Sequence, residues 1–479
     1  MDLHKNLING EWRGSNDVTQ NINPSDIKDV VGQYAKATVD DTVDAIAAAK
    51  AAFVSWSMTS PEVRSDILDR AGTEILARQE ELGRLLSREE GKTLGEGIGE
   101  AGRAGRVFKF FAGEALRMGG ESLPSTRPGL QVNIDREPLG VVGIISPWNF
   151  PIAIPAWKIA PALAYGNCVV FKPADLVPGC AWEITDILLR AGIPAGVFNL
   201  VMGRGSVVGE EIIQNKDVTA ISFTGSVDIG KHVAATAVGR MAKVQTEMGG
   251  KNPLVVLNDA DLGKAVDCAI NGAFFSTGQR CTASSRLIVE EGIHDQFVEA
   301  MIAKMKTLNI GDAVDPSTHI GPVVSHPQLQ QNLEYIEIGK AEGATLAFGG
   351  ERLKNADKDG FYMQPALFTE TNNSMRINVE EIFGPVATVI KVADYDEALQ
   401  VANDTTFGLS AGICTASLKN ASDFKRRSEA GMVMINVPTA GVDYHVPFGG
   451  RKGSSYGARE QGRYAQEFYT TVKTTYISS

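Results

Sequence analysis

The loop that contains Cys281 carries the residues best suited to covalent chemistry. Four apolar residues before it recur at the spacing of one helix face: Leu262, Val266, Ala269 and Ala273. This spacing predicts a half-buried helix over residues 261–275, and Gly278 then supplies the left-handed turn common at a helix end. Cys281 follows beside Arg280, and a neighbouring cation lowers the pKa of a thiol and favours the nucleophilic thiolate. Taken alone, the loop also fits a buried cysteine that acts only as a small hydrophobic residue.

Composition limits the class of protein. The 479-residue chain is too long for one hydrophobic core, so two or three domains are expected. Its net charge of -11 argues against a nucleic-acid surface, which needs a basic face. Neither a signal-peptide pattern nor an apolar run long enough for a membrane span is present. The five cysteines are scattered without a CxxC pair, and the histidines lack metal-ligand spacing. We therefore expect a cytoplasmic protein without a disulfide framework or a metal.

From residue 141 the hydrophobic pattern changes to short apolar runs separated by helical segments. The runs cover residues 141–145, 169–171, 197–201, 220–223 and 254–257, and the helical segments cover 156–164, 180–191, 206–214 and 227–238. This alternation predicts βαβ units, and therefore an α/β fold with a parallel sheet between two layers of helices. A second alternating section, from about 250 to 449, predicts another α/β unit. Ligands of such sheets bind at the carboxyl ends of the strands.

The residues that follow the apolar runs suit a ligand that bears phosphate groups. Glycine, lysine, aspartate and hydroxyl residues stand at these positions: Lys172, Asp175, Gly203, Gly205, Gly209, Gly225 and Ser226. Helix N-termini bind phosphate through backbone N–H groups, and Asp175 could accept hydrogen bonds from a ribose. The dinucleotide motif GxGxxG is missing, because the spacing from Gly205 to Gly209 is one residue too long. By itself this stretch is explained more simply by turn glycines.

Two strand-like segments lie outside this alternation. Residues 129–136 alternate apolar and polar side chains, and residues 469–477 are rich in threonine, valine and tyrosine. Neither segment has a hairpin partner beside it in the sequence, and unpaired strand edges are often covered by another chain. An oligomerisation element and a plain surface sheet within one subunit fit these segments equally well.

Seven motifs in register resemble the NAD(P)-dependent aldehyde dehydrogenase superfamily over essentially the whole chain. They are PWNFP (147–151), FKP (171–173), FTGS (223–226), EMGGK (247–251), GQRC (278–281), EIFGP (381–385) and PFGG (447–450). The resemblance implies a Rossmann-type parallel-sheet cofactor domain, an α/β catalytic domain and a β oligomerisation arm. The cofactor domain would comprise residues 1–118 and 139–249, and the catalytic domain residues 250–449. Residues 119–138 would form the oligomerisation arm together with the C-terminal segment 450–479.

For catalysis, the resemblance implies that Cys281 attacks the aldehyde carbon to give a thiohemiacetal. Asn149 and the backbone N–H of Cys281 would form the oxyanion hole. After hydride transfer has left a thioester, Glu247 would be the general base that activates Cys281 or the hydrolytic water. A structural salt bridge is the plainer role for a lone glutamate. Lys158 and Glu460 match positions tied to proton relay, and surface charges are the alternative for both.

For the cofactor, the resemblance implies NAD or NADP and a set of contacts. These are Trp148, Lys172, Asp175, Gly205, Gly209, Gly225, Ser226, Glu381 and Phe383. Lys172 and Asp175 match positions that meet the adenine ribose, and Glu381 matches the position that meets the nicotinamide ribose. Asp175 departs from the glutamate frequent in NAD-preferring members. Its shorter carboxylate leaves room for a 2′-phosphate beside Lys172, so both cofactors stay open. No metal is needed, since the cofactor accepts the hydride.

For the substrate, the sequence is most like the branch that oxidises α-ketoglutarate semialdehyde (2,5-dioxopentanoate), an ω-oxo acid. Succinate semialdehyde and other aldehydes are the alternatives. Phe150, Trp157 and Phe448 match substrate-pocket walls, or they are ordinary core aromatics. Arg280 adjoins the nucleophile, and its planar fork suits a carboxylate, so we expect it to bind the far end of the substrate. The alternative is an arginine that tunes Cys281 or bridges to a nearby acid.

Three other functions are compatible with parts of this pattern. A CoA-acylating semialdehyde dehydrogenase would pass the thioester to CoA, but Glu247 favours release to water. A non-redox cysteine hydrolase would use Cys281, but no histidine motif follows that could pair with it. A non-catalytic nucleotide-binding protein would not need Cys281, Glu247 and Asn149 together. We therefore expect an enzyme for a small aldehyde that carries a carboxylate, assembled as a homodimer or homotetramer, with neither nucleic-acid nor membrane partners.

Overall fold

The computed structural model describes residues 2–354 and 358–478. Fifteen α-helices lie within these residues. They are α1 (Val39–Trp56), α2 (Pro61–Ala77), α3 (Gln79–Glu90), α4 (Leu94–Ala115), α5 (Ala153–Ala164), α6 (Gly179–Arg190), α7 (Glu210–Gln214), α8 (Val227–Gly239), α9 (Leu262–Phe274), α10 (Glu291–Met305), α11 (His326–Ala341), α12 (Arg376–Val379), α13 (Tyr395–Asn403), α14 (Leu418–Arg427) and α15 (Gln466–Tyr469).

The same residues contain strands that form four sheets. The strands are β1 (Leu3–His4), β2 (Asn6–Ile8), β3 (Glu11–Arg13), β4 (Val18–Ile22), β5 (Val30–Ala35), β6 (Glu121–Pro124), β7 (Leu130–Pro138), β8 (Val141–Ile145), β9 (Cys168–Lys172), β10 (Phe198–Leu200), β11 (Val218–Thr224), β12 (Lys243–Glu247), β13 (Asn252–Val256), β14 (Ser284–Glu290), β15 (Thr345–Phe348), β16 (Ala366–Thr371), β17 (Val386–Val392), β18 (Ser410–Cys414), β19 (Met432–Ile435), β20 (Ser455–Tyr456) and β21 (Thr470–Ser478).

The predicted α/β fold with a parallel sheet is confirmed. An eight-stranded sheet has the order β20-β12-β11-β8-β9-β10-β2-β3, and its five central strands run parallel. Their register pairs Lys172 with Ile145 and Glu247 with Thr224, so the carboxyl ends of these strands share one edge. The short strand β20 joins antiparallel beside Glu247 and brings the C-terminal segment to that edge.

A second, seven-stranded sheet follows directly in the chain. Its order is β15-β16-β17-β14-β13-β18-β19, with every pair parallel except β15 with β16. Strand β12 of the first sheet ends at Glu247, and β13 of the second begins at Asn252. The two sheets are therefore joined by a linker of four residues, 248–251. Residue Cys281 lies between α9 and β14 of the second sheet.

The two strand-like segments outside the alternation pair with each other. Strand β21 runs antiparallel to β7 over nine residue pairs, from Thr470 with Pro138 to Ser478 with Leu130. The expectation that β7 has no neighbouring hairpin partner was wrong, because β6 pairs with it directly. The polar residues of β6 hid its strand character. A fourth sheet, β1-β5-β4, lies near the N-terminus.

Helix α5 shows how the core positions the site. All of its residues from Ala153 to Ala164 are buried, and it packs against α2 and α4 and against β8 and β9. A helix that is apolar on every face needs such surroundings. Its one charged residue, Lys158, is therefore fully enclosed, with 0% of its surface exposed.

The helix predicted over residues 261–275 is confirmed as α9. The N-terminal helices α2 and α3 are separate, because Arg78 between them leaves helical geometry at φ -102° and ψ 14°. Its guanidinium there contacts Glu81 and Glu183.

The predicted domain boundaries stay a prediction. Met1, residues 355–357 and Ser479 fall within those ranges but lie outside the described residues. Among the helices that the structure describes, none combines the length and the apolar character needed to cross a membrane. Residues 2–354 and 358–478 also contain no group of three or more histidine, cysteine, aspartate or glutamate side chains able to hold a metal ion.

Candidate active site

A left-handed turn precedes the candidate nucleophile. Gly278 has φ 65°, as its sequence position predicted, and Ser276 and Thr277 also have positive φ, at 51° and 55°. Non-glycine residues rarely adopt this conformation, and each costs about 1–3 kcal/mol unless its surroundings enforce it. The sequence did not reveal these two positions. The turn ends the helix α9 abruptly and directs the chain to Cys281.

The Glu96 carboxylate holds this turn in place. Its Oε1 accepts hydrogen bonds from the backbone N–H and the hydroxyl of Ser276, at 2.8 and 3.0 Å. Its Oε2 accepts from the backbone N–H and hydroxyl of Thr93, at 3.2 and 2.8 Å, which forms a capping box at the start of α4. The strained turn is thus fixed to a distant helix N-terminus.

Replacing Gly278 by alanine is expected to lower kcat by more than about 100-fold, because misplacing a reacting group by 1 Å can cost that much. The new Cβ would overlap the carbonyl oxygen of Gly384 and would also be held at positive φ. Gly343→Ala is the matched control, since Gly343 has φ 92° but no neighbour within 4 Å of a Cβ. The two variants are compared by aldehyde-dependent absorbance at 340 nm. Equal activities would show that the Gly278 contact is irrelevant to catalysis.

The thiol of Cys281 is half-buried, and its pKa is raised. Burial and, to a lesser extent, the carboxylates of Glu381 and Glu247 raise this pKa to about 12, while backbone N–H groups of Cys281 and Thr282 oppose the shift. The lowering expected from the Arg280 cation is not found. Removal of the thiol proton therefore requires a base or a change of surroundings when ligands bind.

Alkylation of Cys281 by iodoacetamide in the free enzyme is expected to rise about tenfold per pH unit between pH 7 and 9, because only the thiolate reacts and the pKa is raised to about 12. Mass spectrometry of the peptide that contains Cys281 measures the rate. A plateau within this pH range would contradict the raised pKa.

The guanidinium of Arg280 is turned toward the end of α9. Its Nε donates to the carbonyl oxygen of Phe275 at 2.9 Å, and its Nη2 donates to that of Asn271 at 2.8 Å. Burial lowers the pKa of this guanidinium. Two of its five N–H groups are therefore engaged in anchoring the loop.

Asn149 lies beside the same loop. Its side-chain Nδ2 donates to the carbonyl oxygen of Gln279 at 3.0 Å, two residues before Cys281, and only 3% of Asn149 is exposed. An amide nitrogen carries two hydrogens. This contact uses one of the two.

A buried ion pair fixes the backbone around Asn149. Lys92 Nζ lies 2.7 Å from both the Glu100 carboxylate and the carbonyl oxygen of Asn149, and the two charged side chains are 1% and 2% exposed. Glu100 also accepts hydrogen bonds from the backbone N–H groups of Ile152 and Ala153 at 3.2 and 3.1 Å. The pair therefore positions both Asn149 and the N-terminus of α5.

The Lys92→Met variant is expected to lose about 3–5 kcal/mol of unfolding free energy, because it leaves the Glu100 carboxylate buried without its cation. Urea denaturation measures the loss. Lys340→Met is the control, since its pair with Glu337 is exposed and worth at most about 1 kcal/mol. A loss at Lys92 no larger than at Lys340 would contradict the role of the buried pair.

Glu247 ends strand β12 at the shared strand edge. Its Oε2 accepts a hydrogen bond from Ser455 Oγ at 2.5 Å, and 3% of the residue is exposed. Burial and the nearby Glu460 raise its pKa well above the usual value, while Ser455, Lys158 and Arg459 oppose the shift. No cation lies within 4 Å of Glu247 among the described residues, so the salt-bridge alternative is not observed.

Lys158 and Glu460 form a fully buried pair near Glu247. Lys158 Nζ contacts Glu460 Oε1 and donates to Ser222 Oγ at 2.9 Å. Trp157 Nε1 donates to the other oxygen of Glu460 at 2.6 Å. Because the two charges are 0% and 2% exposed, the alternative that they are surface charges is wrong.

The carboxyl ends of the parallel strands present buried polar groups that make no hydrogen bond. Ser146 Oγ and Thr224 Oγ1 have no partner, and Asp175 Oδ1 has only its ion pair with Lys172 Nζ. Lys172 Nζ lies 3.6 Å from Asp175 and donates to the Pro173 carbonyl at 2.8 Å, and burial lowers its pKa. Buried polar atoms without partners are costly, so this edge fits a polar ligand such as a nicotinamide dinucleotide.

Two of the glycines predicted as cofactor contacts, Gly205 and Gly209, leave space at this edge. Gly205 to Gly209 form a π-helical turn, where a Cβ on Gly205 would meet nothing within 4 Å and one on Gly209 would meet only Lys172, at 3.7 Å, and Ile145. Ser226 is the N-cap of α8, but its side chain makes no capping hydrogen bond. Gly225 donates its N–H to the Glu247 carbonyl at 3.1 Å.

Of the remaining predicted cofactor residues, Glu381 and Phe383 precede β17 of the seven-stranded sheet, and Trp148 follows β8 of the eight-stranded sheet. Glu381 accepts a hydrogen bond from the Gly250 N–H at 2.8 Å, and burial raises its pKa to about 7. Phe383 has φ 59°, and its ring stands at 83° to that of Trp148 with 5.3 Å between centroids. Glu381 thus lies along the linker between the sheets, close enough to Cys281 to raise its pKa.

The predicted pocket walls form two aromatic contacts. The rings of Trp157 and Phe448 lie 5.5 Å apart, and both residues are 6% exposed. The ring of Phe150 lies 3.7 Å from Lys92 Nζ, which suits a cation–π contact. The position next to Phe448, Gly449, is so close to Glu247 that a Cβ there would meet the carboxylate at 2.7 Å.

Sequence reasoning missed the supporting groups Lys92, Glu96, Glu100 and Ser455. The spacing of Thr93 and Glu96 is a capping-box signal that could have located the start of α4. Nothing in the sequence around them indicated the contacts with residues 149 and 276.

A half-buried cysteine, a buried carboxylate and a polar strand edge lie near the linker between the two α/β sheets, as expected for an oxidoreductase. The family model described as "Aldehyde dehydrogenase family" matches residues 12–475, and the chain belongs to this family. It is therefore an aldehyde dehydrogenase.

Similar proteins cover the full length of the chain. The α-ketoglutaric semialdehyde dehydrogenase of Bacillus subtilis (strain 168) is 46% identical over 100% of this chain and 98% of its own. The α-ketoglutarate semialdehyde dehydrogenase of Haloferax volcanii is 44% identical over 100% and 99%. A crystal structure of betaine aldehyde dehydrogenase from Staphylococcus aureus in complex with NAD+ superposes with a TM-score of 0.97, at 36% identity, over 99% of this chain and 95% of that one.

Proposed function

We propose that the enzyme oxidises 2,5-dioxopentanoate to 2-oxoglutarate with NAD+ or NADP+, without CoA. The two full-length relatives named for this aldehyde support the substrate. The observation that carries the catalytic assignment is the position of Asn149 Nδ2, 3.0 Å from the carbonyl of Gln279 in the Cys281 loop. The Glu247 carboxylate also acts on the Cys281 thiol, whose pKa it raises.

The first step is attack of the Cys281 sulfur on the aldehyde carbon. Its proton passes to a base, for which the ionised form of Glu247 is suited because its raised pKa makes it a stronger base than an exposed carboxylate. The free hydrogen of Asn149 Nδ2 and the N–H of Cys281 stabilise the oxygen that becomes negative. A nicotinamide cofactor, when bound, would accept the hydride that leaves the former aldehyde carbon, and a thioester on Cys281 would remain.

The second step is hydrolysis of the thioester on Cys281. Glu247 removes a proton from water, and Ser455 holds one of its oxygens in place at 2.5 Å. We propose that Lys158 and Glu460 then carry this proton away, since they form a buried pair whose charges act on Glu247. Because water accepts the acyl group of the thioester, this reaction differs from acyl transfer to CoA.

The strand edge supports a dinucleotide, and the S. aureus structure contains NAD+. We propose that Lys172 and Asp175 bind the adenine ribose and that Glu381 turns from Gly250 to the nicotinamide ribose. Lys172 lies 3.6 Å from Asp175, too far for a strong hydrogen bond. Asp175→Glu would extend the carboxylate into the space proposed for the 2′-phosphate of NADP+. It is therefore expected to raise the KM for NADP+ more than the KM for NAD+.

The deciding assay follows absorbance at 340 nm without CoA. Purified enzyme is given each cofactor with 2,5-dioxopentanoate, succinate semialdehyde, betaine aldehyde or pentanal. We expect the highest kcat/KM with 2,5-dioxopentanoate. Betaine aldehyde is the second candidate, because the fold matches a betaine aldehyde dehydrogenase and aromatic walls also suit a quaternary ammonium. Preference for that cation, or no activity on either oxo acid, would overturn the proposal.

Arg280 remains a proposed contact of the substrate carboxylate, with three N–H groups not engaged by the carbonyls of residues 271 and 275. The test compares kcat/KM for 2,5-dioxopentanoate and for pentanal in Arg280→Ala. Equal losses for both aldehydes would refute the contact.

We also propose that the chain assembles as a homodimer or homotetramer through the sheet β21-β7-β6. Large apolar side chains are exposed on its strands, with Leu123 45%, Val472 54% and Tyr476 58% exposed. Sedimentation equilibrium tests this, and a monomer would contradict it. The free cysteines of the described residues support the proposal that the enzyme works in the reducing cytoplasm.

A further inference from the structure

Arg103 lies at the aromatic wall without an acidic partner. It belongs to α4, and its guanidinium carbon is 5.5 Å from the centroid of the Trp157 ring. Its Nη2 donates to Gln461 Oε1 at 3.0 Å, but its buried Nε makes no hydrogen bond. No carboxylate lies within 4 Å of it among the residues the structure describes, and Glu100 and Asp443 act on it only from farther away.

Gln461 also has a buried donor that makes no hydrogen bond. It is 0% exposed, and its Nε2 makes no hydrogen bond although its oxygen is held by Arg103. Its backbone is fixed at φ 60°, in the residue after Glu460. Two neighbouring buried donors therefore lack acceptors, and burial lowers the pKa of the Arg103 guanidinium, as expected for a poorly compensated cation.

The unpaired donors are Arg103 Nε and Gln461 Nε2, and Arg103 also carries a positive charge. Together they match a ligand with two acceptor oxygens and a negative charge. Trp157, which Arg103 covers, contacts Phe448, and Phe448 adjoins the position that abuts Glu247. A chain of contacts through Trp157 and Phe448 therefore connects Arg103 to the region of Glu247. Arg280, the other proposed contact of this carboxylate, has two of its five N–H groups engaged by backbone carbonyls.

We propose that Arg103 and Gln461 form a subsite for the carboxylate of the aldehyde substrate. This inference rests on the proposed function, since it requires an oxo acid as the substrate. Hydrogen bonds to charged groups are worth more than neutral ones, and an arginine suits a carboxylate by geometry as well as by charge. The subsite then determines specificity without taking part in the chemical steps.

The test measures the ratio of kcat/KM for 2,5-dioxopentanoate to that for pentanal. Arg103→Met should lower this ratio by about 10- to 100-fold, the range of a charged hydrogen bond. Arg103→Lys should recover part of it, because the charge remains. Arg106→Met, an exposed arginine on the same helix, is the matched control and should leave the ratio unchanged. An unchanged ratio in Arg103→Met would overturn the subsite.

The wild-type enzyme provides a second test that does not depend on folding of a variant. The methyl ester of 2,5-dioxopentanoate lacks the charge, so its kcat/KM should fall by the same factor, with no further fall in Arg103→Met. If the loss of kcat/KM caused by the methyl ester and the loss caused by Arg103→Met multiply, the subsite is overturned. If the wild-type enzyme prefers pentanal to both oxo acids, the proposed function itself fails. If it prefers the oxo acid and Arg103→Met keeps that preference, only the subsite fails.

Discussion

Cys281→Ala is expected to lower aldehyde-dependent reduction of the cofactor by at least about 10⁴-fold, because it removes the sulfur proposed to form the covalent bond to the aldehyde. The remaining cysteines have no comparable position. Cys168, Cys180, Cys268 and Cys414 are all buried away from the loop. Stopped-flow absorbance at 340 nm under single-turnover conditions measures the loss of the first hydride transfer.

Cys268→Ala is the matched control, since this residue is 4% exposed and lies on α9, one element before the catalytic loop. It should retain most of the activity. The cofactor should raise the melting temperature of both variants by a similar amount, because binding at the strand edge does not need the sulfur. Residual turnover in Cys281→Ala above about one part in 10³ would contradict its role as the nucleophile.

Glu247→Gln is expected to lower steady-state kcat by about 10²–10⁴-fold, the usual contribution of a general base. If its main task is hydrolysis, a rapid burst of reduced cofactor should precede the slow turnover, since the thioester then accumulates. The same raised pKa predicts that wild-type hydrolysis becomes faster as pH rises, because the ionised form of Glu247 increases. Rapid-quench and stopped-flow measurements from pH 6 to 9 separate the two steps.

Glu467→Gln provides the comparison, as this carboxylate pairs with Arg136 at the surface. Its kinetics should equal those of the wild type. A Glu247→Gln enzyme with normal kcat would contradict the role in hydrolysis. A slow enzyme without a burst would instead assign Glu247 to deprotonation of Cys281.

Periodicity was sufficient for the elements that bury one face or one run of apolar residues. The parallel strands were predicted because they are short continuous apolar runs, and α9 was predicted because its apolar residues repeat every three to four residues. Strand β6 was not, since Glu121 and Ser122 carry no such signal and it exists only because β7 offers a partner. Gly278 was predicted as left-handed from its residue type, while Ser276 and Thr277 were not, because a distant carboxylate imposes their conformation.

The candidate site also has features that the sequence predicted and features that it could not predict. The sequence motifs indicated Cys281, Asn149 and Glu247, and the described structure brings their loops together, while their roles remain predictions. The direction of the Arg280 side chain could not be read from the sequence, because it depends on which carbonyls end α9. The unpaired donors of Arg103 and Gln461, 358 residues apart, likewise appear only once the chain is folded.

The hydrogen bond from Ser276 to Glu96 spans 180 residues of sequence. Contacts of such long separation form late, because the entropy of closing the intervening loop must be overcome before they stabilise anything. Recovery of activity after dilution from denaturant should therefore lag behind recovery of helical circular dichroism. A newly synthesised chain would remain inert until its N-terminal helices had docked onto a segment made much later on the ribosome.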